Sequence, residues 1–302
     1  MSDSRLGEHE FGGVSTDLKL SLVGDYLHAF TTALTGKFEL CYVDAFAGTG
    51  ERTVRHAAQD ASLLEPSIEA SIERRKGSAR IAIETDPPFD RLVFMDVNRR
   101  HCAALERLRL EYPERRIDVV RDDANTAILA AIAVQNWRST RGVMFLDPYG
   151  MHVRWETLQA IQATKAIDVW YLVSLAGLFR QATRDGRALS DQKRHAITRM
   201  LGTPDWEAAW YKSRVTGDLF DAEEKRSSRV ASVEEIEAYV ARRLRDIFPA
   251  VLGPLRLRNM RNAPMFALFF GISNPDAKAV GLATKIASHL LMRGSSSHRR
   301  SR

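Results

Sequence analysis

The chain has 302 residues and a net charge of +6; 45% of its residues are hydrophobic and 27% are charged. This composition is ordinary for a globular protein with one large domain. The longest apolar runs have the length of strands, so we expect no membrane span, no secretion signal and a cytoplasmic location. With only Cys41 and Cys102, and no cluster of His and Cys, we expect neither a disulfide framework nor a metal site.

The first third of the sequence predicts a helix, a strand and an insertion. Residues 1–15 are polar and expected to be disordered, and apolar residues recur with helical spacing over residues 16–34. Residues 38–45 form the first predicted strand. Residues 51–77 are charged and rich in small side chains, which indicates an insertion over the crevice at the end of that strand.

The middle of the sequence alternates strands with helices. Four more strands are predicted, at residues 91–96, 117–121, 143–146 and 167–174. The short connections between them favour a doubly wound sheet of mostly parallel strands. Residues 178–230 interrupt this alternation, and their polar, helical pattern indicates a second insertion.

The last part of the sequence predicts a strand hairpin and a final helix. Strands at residues 255–261 and 265–272 are joined by too few residues to run parallel. The final helix ends near residue 292, and the basic tail, residues 293–302, is expected to be disordered. We therefore predict one α/β domain over residues 16–292. Its sheet is doubly wound, mostly parallel and seven-stranded, with a C-terminal strand hairpin and helical insertions.

The segment YVDAFAGTG, residues 42–50, is an apolar strand that ends in Asp44 and then in a glycine turn. Gly48 and Gly50 let the chain turn sharply, which brings backbone amides and a helix N-terminus close to a ligand. Thr53 stands where a dinucleotide fingerprint needs a third glycine, and no Gly-Lys-Ser/Thr sequence is present to form a P-loop. The turn predicts a nucleotide-like cofactor of another kind.

Acidic residues end four of the predicted strands, and the carboxyl ends of parallel strands meet at one edge of a sheet. Asp44 can orient the turn amides or bind an ammonium group. Asp96 can accept both hydroxyls of a ribose, and Asp122 or Asp123 can receive the amine of an adenine. The alternative is that strand-end acids are common in doubly wound enzymes. We expect S-adenosylmethionine as the cofactor, bound by these residues: Asp44, Phe46, Gly48, Gly50, Asp96, Asp122 and Asp123.

The sequence Asp44-Ala-Phe46-Ala-Gly48-Thr-Gly50 resembles the first motif of class I S-adenosylmethionine-dependent methyltransferases that act on DNA and RNA bases. A closer resemblance, over about residues 17–180, is to the three-Cys-motif partner family (TcmP). It is carried by six segments: Asp17-Leu18-Lys19-Leu20 and residues 42–50, 77–82, 89–98, 145–150 and 169–180. The resemblance implies a class I methyltransferase-like fold. It also implies a partner protein with three cysteines in a radical-enzyme-like motif, and it does not define the reaction.

The sequence Asp147-Pro148-Tyr149-Gly150 resembles the Asp-Pro-Pro-Tyr motif of amino-methyltransferases that act on adenine. In that motif a carboxylate and a backbone carbonyl accept the two hydrogens of an exocyclic amine, which favours its nucleophilic form, while an aromatic ring stacks on the base. We therefore expect Asp147, Pro148 and Tyr149 to be catalytic. One proline is missing here, and the alternative is a structural turn with Tyr149 packed under the next helix.

Positive charge is concentrated near the C-terminus. Residues 241–302 carry a net charge of +10, which leaves −4 for residues 1–240. This asymmetry indicates an anionic partner such as a nucleic acid, or alternatively solvated helix faces followed by a basic tail. A second basic stretch, from Arg180 to Arg194, follows the fifth strand. It can either guide a phosphate backbone or form a solvated helix face.

Three functions from different classes remain open at this point, and the third of them is a nucleic-acid-binding protein that uses the basic C-terminal region. The first is an S-adenosylmethionine-dependent methyltransferase that acts on an amine, such as the amine of a nucleobase. The second is a non-catalytic binding module that keeps the methyltransferase fold as a platform for its three-cysteine partner, and the incomplete Asp-Pro-Pro-Tyr motif favours it.

Overall fold

A computed structural model describes the backbone of residues 6–56, 71–216, 224–259 and 262–300. In this part of the chain the strands are β1 Glu39–Asp44, β2 Glu51–His56, β3 Ser71–Lys76, β4 Arg91–Met95, β5 Ile117–Val120, β6 Thr140–Leu146, β7 Ile167–Ser174, β8 Tyr211–Thr216, β9 Glu224–Arg229, β10 Ala250–Arg258 and β11 Pro264–Ile272. The α-helices are α1 Leu6–Leu34, α2 Ser78–Ile83, α3 Arg99–Glu111, α4 Ala124–Val134, α5 Trp155–Ala163, α6 Leu175–Gln181, α7 Asp191–Leu201, α8 Trp206–Trp210, α9 Val233–Arg245 and α10 Ala277–Arg300.

Seven strands form one sheet in the order β10-β11-β7-β6-β1-β4-β5. Strand β11 runs antiparallel to both of its neighbours, and the remaining strands are parallel to one another. The short β10–β11 connection forces this reversal, because only a crossover can join parallel neighbours. The fold is therefore a class I methyltransferase-like α/β fold, which confirms the predicted mostly parallel seven-stranded sheet and its C-terminal hairpin.

Helices cover both faces of the sheet, so its central strands are buried on both sides. Strand β7 shows the alternation clearly: Tyr171 and Val173 pack with helices α4 to α9, whereas Trp170 and Leu172 pack with α1, α2, α3 and α10. Each of these large side chains contributes about 1.5–3 kcal/mol by leaving water. The two apolar layers hold the strand ends rigidly, and the candidate site lies at those ends.

Both terminal helices are longer than the sequence predicts. Helix α1 begins at Leu6 rather than at residue 16, and α10 continues to Arg300 rather than ending near residue 292. The two helices pack against each other, with Gly294 lying over Leu22 and Arg293 placed 3.7 Å from Asp25. Once a packed helix has nucleated, further turns add at low cost. The backbone of residues 6–15 and 293–300 is helical, whereas the predicted domain bounds and terminal disorder stay predictions; residues 1–5 and 301–302 lie outside the described residues.

Both insertions contain a two-stranded antiparallel hairpin that the sequence analysis did not predict. The first insertion forms β2 and β3 before α2, and the second contains α6, α7, α8, β8 and β9 rather than helices alone. Residues with high strand propensity, such as Thr53, Val54, Val215 and Thr216, lie in these strands and oppose a helix. The centres of the insertions, residues 57–70 and 217–223, lie outside the described residues, as do residues 260 and 261 near the predicted β10–β11 turn.

Among the helices of the described residues, none has both the length and the apolar character needed to cross a bilayer.

Candidate cofactor and active site

The four predicted strand-end acids lie at one edge of the sheet. Strands β6, β1, β4 and β5 are consecutive neighbours and parallel, so their carboxyl ends are adjacent. Asp44 is the last residue of β1, while Asp96 and Asp147 directly follow β4 and β6. Asp122 lies two residues beyond the end of β5. The structure thus brings the predicted acids together, although their environments differ widely.

The glycine turn after β1 has the backbone geometry that the sequence predicts. Gly48 and Gly50 have φ angles of +60° and +74°. Residues with a Cβ rarely adopt this left-handed backbone conformation. A Cβ on Gly50 would lie 2.7 Å from Cδ2 of Leu108, so a larger residue would have to displace that side chain and would also adopt a strained φ angle. A Cβ on Gly48 would have no described atom within 4 Å. Gly48 therefore faces open space that a ligand can occupy.

Asp96 holds this turn in place from the neighbouring strand. Its Oδ2 accepts a hydrogen bond from the Gly48 amide at 3.1 Å, and its Oδ1 accepts one from the Asn98 amide at 2.7 Å. His101 Nδ1 lies 3.0 Å from the same Oδ2. Both carboxylate oxygens therefore already have partners within the protein. Any contact with ribose hydroxyls would use their remaining lone pairs.

The two acids after β5 have different roles. Asp123 caps α4, because its Oδ1 accepts hydrogen bonds from the amides of Asn125 at 3.2 Å and Thr126 at 3.4 Å. Asp122 is exposed and accepts only the Asp123 amide among the described contacts, at 2.7 Å. Asp122 is thus the member of the pair that remains available to a ligand. Val97 is 73% exposed and directly follows Asp96, so it adds an apolar surface to this side of the edge.

Asp44 is buried on the face of the sheet that α1 covers. It follows Tyr42 by two residues and therefore points to the same face. Its Oδ1 accepts the Phe46 amide at 3.2 Å, and its Oδ2 has no hydrogen-bond partner among the described residues. The hydroxyl groups of Ser78 and Tyr42 lie close enough to the Asp44 carboxyl group to act on it as hydrogen-bonding neighbours, although neither has hydrogen-bond geometry to Oδ2. The ring of Phe46, a predicted cofactor residue, packs against the core.

Burial raises the pKa of Asp44 to about 7, although the Ser78 hydroxyl and the Phe46 amide act to lower it. The negative charge of Asp147 also raises this pKa, and the positive charge of Lys19 lowers it. A carboxyl group with a pKa near neutrality and an unpaired oxygen is costly to bury, and such groups are concentrated at functional sites. The raised pKa and the burial of Asp44 therefore make it a candidate functional residue of this edge.

Lys19 of α1 forms an ion pair with Asp147 and was missed by the functional reading of the sequence. Its Nζ donates to Oδ2 of Asp147 and lies 5.7 Å from the centre of the Phe145 ring. The Lys19 and Asp147 side chains are 8% and 28% exposed. The available signal was helical spacing, because Lys19 precedes the apolar residues Leu22 and Tyr26 by three and seven positions. A lysine inside an apolar helix stripe needs a buried anion as its partner.

The loop after β6 places its aromatic residue in solvent. Tyr149 is 82% exposed, so the alternative in which it packs under the next helix is wrong. Pro148 is buried, and its carbonyl accepts a hydrogen bond from the Gly150 amide at 2.9 Å, which Gly150 permits with a φ angle of +98°. This carbonyl is the one expected to accept an amine hydrogen, and one of its lone pairs is already in use.

Asn125, which the sequence analysis also missed, fastens this loop to α4. The side chain is buried; its Nδ2 donates to the His152 carbonyl, and its Oδ1 accepts from the Arg154 amide and the Thr157 hydroxyl, each at 2.9 Å. The same Nδ2 also donates to Oδ1 of Asp123 at 3.2 Å, and a buried amide with four satisfied hydrogen bonds is a rigid connector. The loop that carries Asp147 and Tyr149 is therefore fixed at its far end.

The sequence matches no protein-family model. It also matches no curated protein. A solved protein of Legionella pneumophila str. Philadelphia 1, from family DUF519, is similar in structure over 94% of both chains, with 14% identity and a TM-score of 0.50.

Two further structures are more distantly similar. An S-adenosylmethionine-dependent methyltransferase from Clostridium acetobutylicum aligns over 86% of this chain and 95% of its own, with 10% identity and a TM-score of 0.38. A Streptococcus mutans protein assigned as a methyltransferase and solved with S-adenosylhomocysteine aligns over 70% and 97%, with 9% identity and a TM-score of 0.31. At these identities the likeness concerns the fold alone, and the resemblance to TcmP stays a prediction.

Proposed function

We propose that the protein is an S-adenosylmethionine-dependent methyltransferase that acts on an amine, such as the exocyclic amine of a nucleobase. The observation that carries this proposal is the arrangement of Asp44, Lys19 and Asp147. A buried carboxyl group with an unpaired oxygen lies below a glycine turn, beside a second carboxylate at the end of the next strand. A purely structural turn has no need of a buried carboxyl group beside a half-buried ion pair.

The cofactor fits the residues of this edge. The open space at Gly48 leaves room for a ligand against the backbone, and Oδ2 of Asp44 can accept a hydrogen bond from the ammonium group of the methionine moiety. Asp96, Val97 and Asp122 can face the adenosine, with polar groups for its hydroxyls and amine and an apolar surface for its ring. Bound S-adenosylmethionine supplies an electrophilic methyl group to this site.

The acceptor fits on the other side, at Asp147 and Tyr149. The Asp147 carboxylate can accept hydrogen bonds from an amine and afterwards its proton, while the exposed Tyr149 ring can stack on a planar base. Lys19 now donates to Oδ2 of Asp147, so an incoming amine must share that oxygen or displace the lysine. The lysine thereby orients the carboxylate until the amine arrives.

Calorimetric titration of the purified chain with S-adenosylhomocysteine tests the cofactor half of the proposal. We expect wild type to bind. Asp44→Asn should bind roughly tenfold or more weakly, as expected for the loss of a charge-assisted hydrogen bond. Asp191→Asn is the matched control, because the Asp191 side chain is fully exposed and pairs only with Arg194 among the described residues. Absence of binding by folded wild type would contradict the proposal.

The second candidate is a non-catalytic platform for a three-cysteine partner protein. The hydrogen bond between the Gly150 amide and the Pro148 carbonyl favours it, since this bond partly occupies the carbonyl that catalysis would use. Co-purification with such a partner tests this function. A stable complex whose partner activity survives Asp147→Ala would support the platform over the enzyme.

A further inference from the structure

Asp96, which follows β4, is held by the protein through both its backbone and its side chain. Its amide donates to the Val120 carbonyl at 3.1 Å, and its carbonyl accepts a hydrogen bond from the Cys102 thiol at 3.2 Å. Its carboxylate accepts from the amides of Gly48 and Asn98. Asp96 is therefore a fixed acceptor, and the number of ligand hydrogen bonds that it can still accept follows from its present partners.

The carboxylate of Asp96 has room for a single further donor. A carboxylate offers about four lone-pair positions, two on each oxygen. Oδ2 uses both of its positions, because the Gly48 amide lies at 3.1 Å and His101 Nδ1 at 3.0 Å. Oδ1 uses one position for the Asn98 amide at 2.7 Å. The two vicinal hydroxyls of a ribose therefore cannot both donate to this carboxylate, and one of them needs another acceptor.

His101 is oriented by the same oxygen of Asp96. A carboxylate oxygen carries no hydrogen, so the hydrogen between the two groups belongs to Nδ1, and the neutral ring then has an unprotonated Nε2 that accepts hydrogen bonds. Nε2 has no hydrogen-bond partner among the described residues, and they do not enclose it. The side chain is 29% exposed. The ring thus presents a free acceptor at the protein surface.

His101 borders the open space at Gly48. The Gly48 amide and the His101 ring both contact Oδ2 of Asp96, so they lie around one atom. A Cβ on Gly48 would have no described atom within 4 Å. His101 belongs to the first turn of α3, which begins at Arg99, shortly after the carboxyl end of β4. The free acceptor therefore lies beside the region that the proposed function gives to the cofactor.

We propose that His101 binds the ribose of the cofactor, with Nε2 accepting one vicinal hydroxyl while Oδ1 of Asp96 accepts the other. This inference rests on the proposed function, which supplies the adenosine moiety. It adds to the acidic edge a neutral residue that contacts the ligand directly. Because each hydroxyl has its own acceptor, the pair selects ligands that carry both.

Calorimetry at pH 8 with S-adenosylhomocysteine and its 2′-deoxy and 3′-deoxy analogues tests this contact. Wild type should bind each analogue on the order of tenfold more weakly than S-adenosylhomocysteine, because each analogue leaves one acceptor without its donor. His101→Asn should bind S-adenosylhomocysteine about tenfold more weakly than wild type does. With one of the two analogues this variant should show no further loss, because the acceptor for the missing hydroxyl is already absent.

The variants separate contact with the ligand from support of Asp96. In His101→Asn the side-chain NH₂ can still donate to Asp96 from near the place of Nδ1, while no atom replaces Nε2. His101→Gln should recover most of the affinity and the preference for both hydroxyls, because its longer side chain can place an oxygen near Nε2. His195→Asn is the matched control, since it makes the same exchange at an exposed position of α7. It should bind all three ligands like wild type.

Nuclear magnetic resonance of the wild-type chain with isotope-labelled histidine tests the contact without relying on the stability of one variant. The signals of His101 are those that disappear in either His101 variant. We expect an unprotonated Nε2 in the free chain, and we expect its nitrogen shift to change on saturation with S-adenosylhomocysteine. A hydrogen on Nε2 in the free chain, or an unchanged shift on saturation, would overturn the inference.

The calorimetric outcomes distinguish this inference from the proposed function. Equal affinity ratios among the three ligands in wild type and in His101→Asn would overturn the inference, even if the variant bound every ligand more weakly. A residue that only supports the glycine turn would produce that uniform loss, and binding of S-adenosylhomocysteine by wild type would leave the methyltransferase proposal intact. Absence of binding by folded wild type would overturn both.

Discussion

The two halves of the acidic edge use the same residue type in opposite ways. On the β4–β5 side, Asp96 and Asp123 accept hydrogen bonds from backbone amides and hold the glycine turn and the start of α4. On the β1–β6 side, Asp44 keeps an unpaired oxygen and Asp147 pairs with Lys19. Backbone amides have fixed positions, whereas a lysine side chain can move.

This difference separates the acids that hold the backbone from the acids that are available to a ligand. Acids that accept hydrogen bonds from backbone amides stabilise the turn and the start of α4 in a fixed geometry, and a hydrogen bond of this kind contributes about 0.5–1.5 kcal/mol. Acids that retain free lone pairs or a movable partner can exchange protons and ligands. Within the proposed function, the scaffold role therefore belongs chiefly to Asp96 and Asp123, and the proposed reactive role to Asp44 and Asp147.

The largest expected effect is that of Asp147→Asn on methyl transfer. The amide oxygen can still accept from Lys19, but the negative charge that polarises the amine is lost. We expect the rate to fall about 10²–10³-fold while affinity for S-adenosylhomocysteine stays within about twofold. Single-turnover transfer from labelled S-adenosylmethionine to an adenine-containing oligonucleotide measures this rate. A rate equal to that of the Asp191→Asn control would assign Asp147 to the scaffold. It would contradict the proposed difference between the β1–β6 side and the β4–β5 side of the edge.

The next effect is that of Lys19→Met on stability. This change leaves the carboxylates of Asp147 and Asp44 without their neighbouring cation in a largely buried place. Breaking a buried ion pair costs about 3–5 kcal/mol, and the partial exposure of Asp147 places the expected loss near the lower end, about 3 kcal/mol.

Urea unfolding of Lys19→Met and of Lys37→Met measures this difference in the free energy of unfolding. Lys37 is exposed, so its variant should lose less than about 0.5 kcal/mol. Equal losses in the two variants would mean that the Lys19–Asp147 pair stabilises nothing. In that case the two halves of the edge would not differ in the way that their contacts suggest.

Most of the strands of the sheet could be predicted from apolar runs that end in turn residues. Apolar runs such as Ile167–Ser174 are bounded by turn residues and buried on both faces, so their positions followed from composition alone. The positive φ angles of Gly48 and Gly50 were predictable for the same local reason. These features depend on neighbouring residues in the chain, so they can be predicted from the sequence.

The contacts that distinguish the acids could not be read in this way. Lys19 and Asp147 are 128 positions apart, and only the packing of α1 on the sheet brings them together. A shift of one position in the sequence decides whether an acid after a strand caps the next helix. Asp123 caps α4, whereas its neighbour Asp122 does not. The β2–β3 and β8–β9 hairpins were missed because charged, short segments carry weak strand signals.

The smallest expected effect, and the most direct test of Asp44, is the pH dependence of cofactor binding. The pKa of Asp44 is raised to about 7, so at pH 6 most molecules carry a neutral Asp44 that attracts an ammonium group weakly. Affinity for S-adenosylhomocysteine should rise about tenfold between pH 6 and pH 8, as this carboxyl group ionises. Calorimetry at matched ionic strength measures the rise, and Asp44→Asn should remove it.

Because the pKa of Asp44 is raised in the folded state, the folded chain keeps a proton on this group up to about pH 7. The unfolded chain releases that proton at lower pH. The contribution of Asp44 to the free energy of unfolding is therefore largest below its ordinary pKa and falls as the pH rises through about 7, by up to about 1.4 kcal/mol per pH unit.

Asp168 at the opposite edge also has a pKa of about 7, raised by burial, but it hydrogen-bonds Tyr26 away from the site. Asp168→Asn should reduce the pH dependence of stability yet leave that of binding unchanged, whereas Asp44→Asn should change both. If the two variants behaved alike in binding, the ionisation of Asp44 would have no part in holding the cofactor.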